Sequence, residues 1–307
     1  MTQQVPPISD VAMRVAKLPL LARRRVLRAM FQVTGAVQGR ATAGLAKHFE
    51  RVLRLPRREA LWLDREAVYH DRLAELEWLA LLTRSRAGIE RDLDHVTTDT
   101  PELLTRIASG GEPVIFAPLH MGPYVLGLLY TMLTFFPDRP LLILRRRDDR
   151  PAETQVMERI AEFGTPVRFL TVTDRAGFLP AIRFAKGGAV IVVFADLPPH
   201  YGKPAAMPIF GLPTRFAFGI DAMAHLTGAT VVPIAIGAEA GRDVVALRPP
   251  FTVQGNDAEE RDRAAELMRR HIETTIRERP EQWHFWPSLH EYVQPGAPTT
   301  PRGLHVL

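Results

Sequence analysis

The chain of 307 residues contains no cysteine. That excludes a disulfide framework, a thiolate nucleophile and a cysteine-based zinc site, and it fits a reducing compartment. Several local signatures of common chemistries are missing too. There is no Gly-rich phosphate loop with Lys and Ser or Thr, no GxGxxG after an apolar run, no HExxH metal pair and no GxSxG serine elbow. No export signal is evident: MTQQVPPISD lacks the charged start and apolar core that such a signal needs, so a cytoplasmic location is expected. The longest uncharged stretch, Pro113 to Pro137, runs 25 residues. His120, Gly122 and Pro123 interrupt its middle, whereas a spanning helix needs about 20 predominantly apolar residues, so strand, turn and helix describe it better.

What is present is the composition of an ordinary globular protein, 46% hydrophobic and 24% charged, with length to bury a sizeable core. The net charge of +5 is uneven. Residues 1–50 hold eight Lys or Arg against Asp10 and Glu50, a surplus of six, which leaves −1 for the rest. In this arm Leu18, Leu20, Leu21, Val26, Leu27, Met30 and Phe31 interleave with Arg23, Arg24, Arg25 and Arg28. That is the pattern of a basic amphipathic helix lying on an anionic membrane surface, which would make the protein peripheral at the inner face. The alternative is a helix that packs its apolar face on the protein's own core. Nucleic acid is not expected as a partner, because the arm has no aromatic platform beyond Phe31 and no recognised binding motif.

From Pro56 to Leu82 apolar residues recur at three and four spacings, so a helical layer is expected over residues 10–95. After Thr98 short β-like runs alternate with helical patterns. Strands are expected at Val114–Ala117, Leu141–Leu144, Val167–Val172, Ala189–Phe194, Thr230–Ile236 and Val244–Leu247. Helices are expected near 100–109, 123–136, 151–163, 175–186, 215–227 and 257–278. The fold class is α/β: a largely parallel central sheet with flanking helices, preceded by the N-terminal helical layer. The expected divisions are 1–95, the helical region with its basic arm; 96–290, the α/β domain; and 291–307, a Pro- and Thr-rich tail.

In open α/β sheets ligands bind at the carboxyl ends of the strands. His120 falls there, just past Val114–Ala117, and a histidine titrates near neutral pH, so it is the candidate base. A structural histidine is the bland alternative. After the second strand comes Arg145, Arg146, Arg147, Asp148, Asp149, Arg150, where a guanidinium would grip a phosphate or carboxylate. After the fourth, Asp196, His200, Tyr201 and Lys203 stand on a Pro-rich loop beside the same edge. Asp221 and His225, four apart, read as a local pair or cap rather than a metal site, and His284 and His290 read as core or surface.

The order LHMGPY, a basic motif, FADLPPHYGKPAAMPIFGLPTRF, LTGATVVPIAI and PEQWHFW resembles the lysophospholipid acyltransferase superfamily, and within it the late acyltransferases of lipid A biosynthesis. The resemblance runs from Pro113 to Trp286. It implies transfer of a fatty or related acyl group from an acyl carrier protein or coenzyme A thioester to a hydroxyl or amine, with no cofactor and no metal. His120 matches the general base, Gly122 the small turn residue and Arg147 the basic position. Asp196 and Gly202 match the loop shaping the acceptor site. The family's acidic partner of the histidine falls at residue 125, which is Val125 here. Asp196, Tyr124 or the acceptor itself would then have to substitute, and the expected acceptor is neither a lysophospholipid nor a lipid A hydroxyl. A lapsed relative that keeps the acyl site as a binding module is the second reading.

Overall fold

The structure is a computed structural model, and it describes residues 10–294 apart from 38, 40, 146–150 and 172–174. Five helices come first: α1 (Asp10–Ala16), α2 (Leu20–Val37), α3 (Ala46–Val52), α4 (Arg57–Thr83) and α5 (Arg86–Leu93). There follow β1 (Val96–Thr98), α6 (Pro101–Ser109), β2 (Val114–Ala117), α7 (Tyr124–Phe135), β3 (Leu141–Arg145), α8 (Pro151–Ala161), β4 (Val167–Thr171), α9 (Arg175–Lys186) and β5 (Val190–Val192). The described residues close with β6 (Pro204–Ala206), β7 (Arg215–Ala217), α10 (Ile220–Thr227), β8 (Thr230–Glu239), β9 (Arg242–Leu247), α11 (Ala258–Glu278) and α12 (Leu289–Tyr292).

Seven strands form the central sheet in the order β1-β9-β8-β2-β5-β3-β4. From β8 to β4 every pairing is parallel; β9 runs antiparallel to β8, and β1 parallel to β9. Parallel strands covered on both faces carry near-continuous apolar runs, and β2 is VIFA with all four residues buried. Alternate residues feed two cores. Ile115 and Ala117 join one with α9, α10 and α11, while Val114 and Phe116 join the other with α7 and α8. The fold class is therefore the one expected. The helix expected over 215–227 is shorter at its start: Arg215–Ala217 is β7, paired with β6, and the helix begins at Ile220. Thr214 and Phe216 are buried on that hairpin, a period of two that belongs to a strand.

The helical layer shares both cores with the sheet, since Ala60, Leu63 and Ala67 belong to one and Leu81 and Ile89 to the other. It is also tied to the sheet by charge. Arg23 and Arg24 are buried, and they bind Glu77 on α4, Asp92 on α5 and Asp243 on β9. The Arg24–Asp243 pair is bidentate at 2.7 and 2.8 Å. Arg28 pairs with Glu66 at 2.9 Å and lies over the Tyr69 ring. Of the four arginines that the sequence would place on a membrane surface, Arg23 and Arg24 are thus engaged inside the molecule, and Arg28 is paired within the helical layer at its surface. The apolar periodicity was right; the charges on it face carboxylates that lie far away in the chain. Among the described residues no helix is long and apolar enough to cross a membrane. At the other end, the division at 290 cuts through α12, and Tyr292 is buried.

Candidate active site

β2 and β5 are adjacent and parallel, with Phe116 opposite Val192. Beyond their ends the backbones stay together, as the Val193 amide donates to the Phe116 carbonyl at 3.0 Å and the Ala195 amide to the Pro118 carbonyl at 2.9 Å. His120 stands two residues past Pro118 and Asp196 one past Ala195, so their proximity follows from register. β2 is also where the chain switches sides, with β5 to one flank and β8 to the other, the place where open sheets bind ligands.

His120 Nδ1 lies 2.8 Å from Asp196 Oδ1. An ionised carboxylate only accepts, so Nδ1 carries the proton and Nε2 is left with a free lone pair. Asp196 Oδ2 accepts from the His120 backbone amide at 2.8 Å and from the Trp283 indole at 2.9 Å. Its main-chain carbonyl accepts from the Tyr292 hydroxyl at 2.7 Å. The aspartate side chain is fully buried, while the histidine side chain is 20% exposed. The three donors to the carboxylate fix its orientation.

Three aromatic rings fix the imidazole plane. Phe194 stacks on it at 3.9 Å between centroids, Phe285 is tilted at 4.7 Å, and Tyr124 meets it edge-on at 5.5 Å. The Phe194 ring also lines an apolar cavity with Val125, Leu129, Met132, Ile143 and Ile160. Val125 is buried in the apolar core that contains this cavity. A carboxylate is absent at that position, and the one on His120 comes from the end of β5.

The turn after His120 is held by the segment from Gln282 to His284. The Gly122 amide donates to the Gln282 carbonyl, and the His284 amide donates to the His120 carbonyl, both at 3.0 Å. Gly122 has φ +54°, and a Cβ there would stand 2.8 Å from Gln282 Oε1, so both conformation and space require glycine. The His284 ring bridges Asp71 on α4, 2.8 Å from Nδ1, and the Gly122 carbonyl, 3.1 Å from Nε2.

Of the residues singled out from the sequence, His120, Gly122, Tyr124 and Asp196 converge. Gly202 ends a short turn after Asp196, where an added Cβ would make ordinary contact with Ala217 on β7 at 3.6 Å, and its φ of −171° is extended backbone open to any residue. Arg147 lies outside the described residues. Asp221 pairs with Arg261 at 2.6 Å rather than with His225. Trp283, His284, Phe285 and Asp71 were missed as site residues. The first three fall within PEQWHFW, whose concentration of aromatics next to a histidine was the available signal.

The family model described as bacterial lipid A biosynthesis acyltransferase matches residues 113–290, a span that includes His120, Asp196 and Trp283. The chain belongs to that family, and with it to the acyltransferases of the lipid A type. No curated protein matches the chain.

Proposed function

We propose that the protein transfers a fatty or related acyl group from the thioester of an acyl carrier protein or coenzyme A to a hydroxyl or amine acceptor, with His120 as general base. The observation that carries this is the 2.8 Å contact of His120 Nδ1 with a buried carboxylate that leaves Nε2 free to take a proton. The acceptor O–H or N–H gives its proton to Nε2 as the heteroatom attacks the thioester carbonyl. The tetrahedral intermediate collapses with cleavage of the C–S bond, and the leaving sulfur takes the proton back from the imidazolium. Asp196 holds the tautomer and stabilises the charged ring, the role that a buried aspartate plays in serine hydrolases. The apolar cavity beside Phe194 holds about 30 Å³, so an acyl chain would enter it only if the side chains around it move apart.

A dyad completed by Asp196 removes the reason for expecting an unusual acceptor, because the base is already oriented; lipid hydroxyls therefore return to the acceptor panel. The test is intact-mass detection of acyl transfer from a carrier thioester to a panel of hydroxyl and amine acceptors. Transfer by the wild type and none by His120→Ala is expected. Acyl binding without transfer to any acceptor would select the binding-module reading instead.

A further inference from the structure

The helical layer carries an exposed surface that neither core uses. α2 and α4 run antiparallel, because Arg23 meets Glu77 while Arg28 and Phe31, further along α2, meet Glu66 and Tyr69. Toward the carboxyl end of α2, Met30, Val33 and Val37 form a stripe that is 44, 63 and 78% exposed. α4 brings Trp62, 53% exposed, to the same end of the pair. The elbow leading into α4 adds charge. Residues 47–59 contain Lys47, Arg51, Arg54, Arg57 and Arg58, all exposed, against Glu50 and Glu59, a surplus of three. Arg54 has φ +56°, a region that glycine or asparagine occupies at lower cost, so this turn holds an arginine against backbone preference.

We infer that this elbow docks on an anionic lipid bilayer, with Trp62 and the α2 stripe entering the interface and the arginines facing the headgroups. An exposed Trp beside aliphatic residues and a basic rim is the composition such interfaces favour. A second copy of the chain fits poorly, because a two-fold contact would set two surfaces of like charge against each other. The surface is also close to the chemistry. Nine residues separate Trp62 from Asp71, about 14 Å along a helix, and Asp71 holds the His284 that braces the catalytic turn. Bilayer binding is read separately from acyl transfer, so either proposal can fail alone.

Flotation of the full chain with phosphatidylcholine vesicles, with and without phosphatidylglycerol, tests this. The wild type should bind only the anionic vesicles. The Arg54→Gln, Arg57→Gln, Arg58→Gln variant should partition about a hundredfold more weakly, from about fivefold per basic residue. Val33→Ser with Trp62→Ser should also weaken binding. Arg270→Gln with Arg277→Gln, on exposed α11 pairs, should not, and all variants should melt near the wild type. No binding to anionic vesicles, equal binding by the elbow variants, or a dimer in light scattering that Trp62→Ser dissolves would overturn the proposal.

Discussion

The indole of Trp283 donates at 2.9 Å to the carboxylate that binds His120, so one residue near the end of the chain steadies a contact between the ends of two strands. Trp283→Phe keeps the packing and deletes the donor. A hydrogen bond to a charged group is worth about 1.5–3 kcal/mol, so kcat should fall about tenfold or more with KM little changed. The downfield imidazole proton resonance of His120 should weaken or shift. An unaltered resonance together with unaltered kcat would make Trp283 a packing residue only.

Asp196→Asn should be far more damaging. An amide favours the wrong imidazole tautomer, and the corresponding change in a serine hydrolase costs about 10⁴ in rate. Adding Val125→Asp should restore nothing, because residue 125 belongs to the apolar core beside the cavity. Restoration by the double variant would mean that the helix position can still serve the histidine.

Arg24→Met should destabilise the protein by about 3–5 kcal/mol in urea unfolding, because it leaves Glu77 and Asp243 buried without their shared cation. Burial disfavours the Glu77 charge, but Arg24 and Arg23 outweigh it and hold the group below its usual range. Asp243, buried and beside Glu77, is pushed up to about 6 even with Arg24 on it. A small loss of stability on replacing Arg24 would show that the helical layer docks by apolar packing alone.

Acid should unfold the protein through two histidines. Burial, reinforced by the charges of Arg28 and Arg248 respectively, lowers His70 and His271 to about 3. Between pH 6.5 and 3 the unfolded chain binds these protons and the native state does not, so stability falls as pH drops through that window. Each group adds about 1.4 kcal/mol per pH unit to the slope. His271→Gln should flatten the slope by about one proton, measured by urea unfolding at stepped pH. An unchanged slope would show that His271 is protonated in the folded protein.

Gly122→Ala should lower both activity and stability, since its Cβ meets Gln282 Oε1 at 2.8 Å and the backbone is left-handed. A wild-type melting temperature and rate would show that the turn can relax.

Six strands and most helices were legible because buried strands read as short apolar runs and helices as apolar residues at three and four spacings, and β2 matched to the residue; the three-residue β1, β6 and β7 carry too little pattern to be seen. His120 was legible for the same reason: a polar residue at the end of an apolar strand has few structural uses. What the sequence hid was pairing at long range. Arg23 and Arg24 look solvated until Glu77, Asp92 and Asp243, up to 219 residues away, are folded against them. The role of Asp196 was only one of several options, because which strands become neighbours is decided by topology. His284 read as core or surface because both of its partners, Asp71 and Gly122, come from other parts of the chain.

In a histidine motif whose acid sits on the following helix, one side chain must serve two masters: it tunes the proton acceptor and it shapes whatever the helix packs against. Under the proposed function this protein separates those duties. Asp196 lies at the strand ends, while Val125 packs in the apolar core and lines the cavity. The helix position therefore carries packing alone. Under the proposed function, Val125→Ala, which enlarges the cavity without touching Asp196, should shift the preferred acyl length in transfer assays with thioesters of graded length, and an unchanged preference would leave Val125 a packing residue.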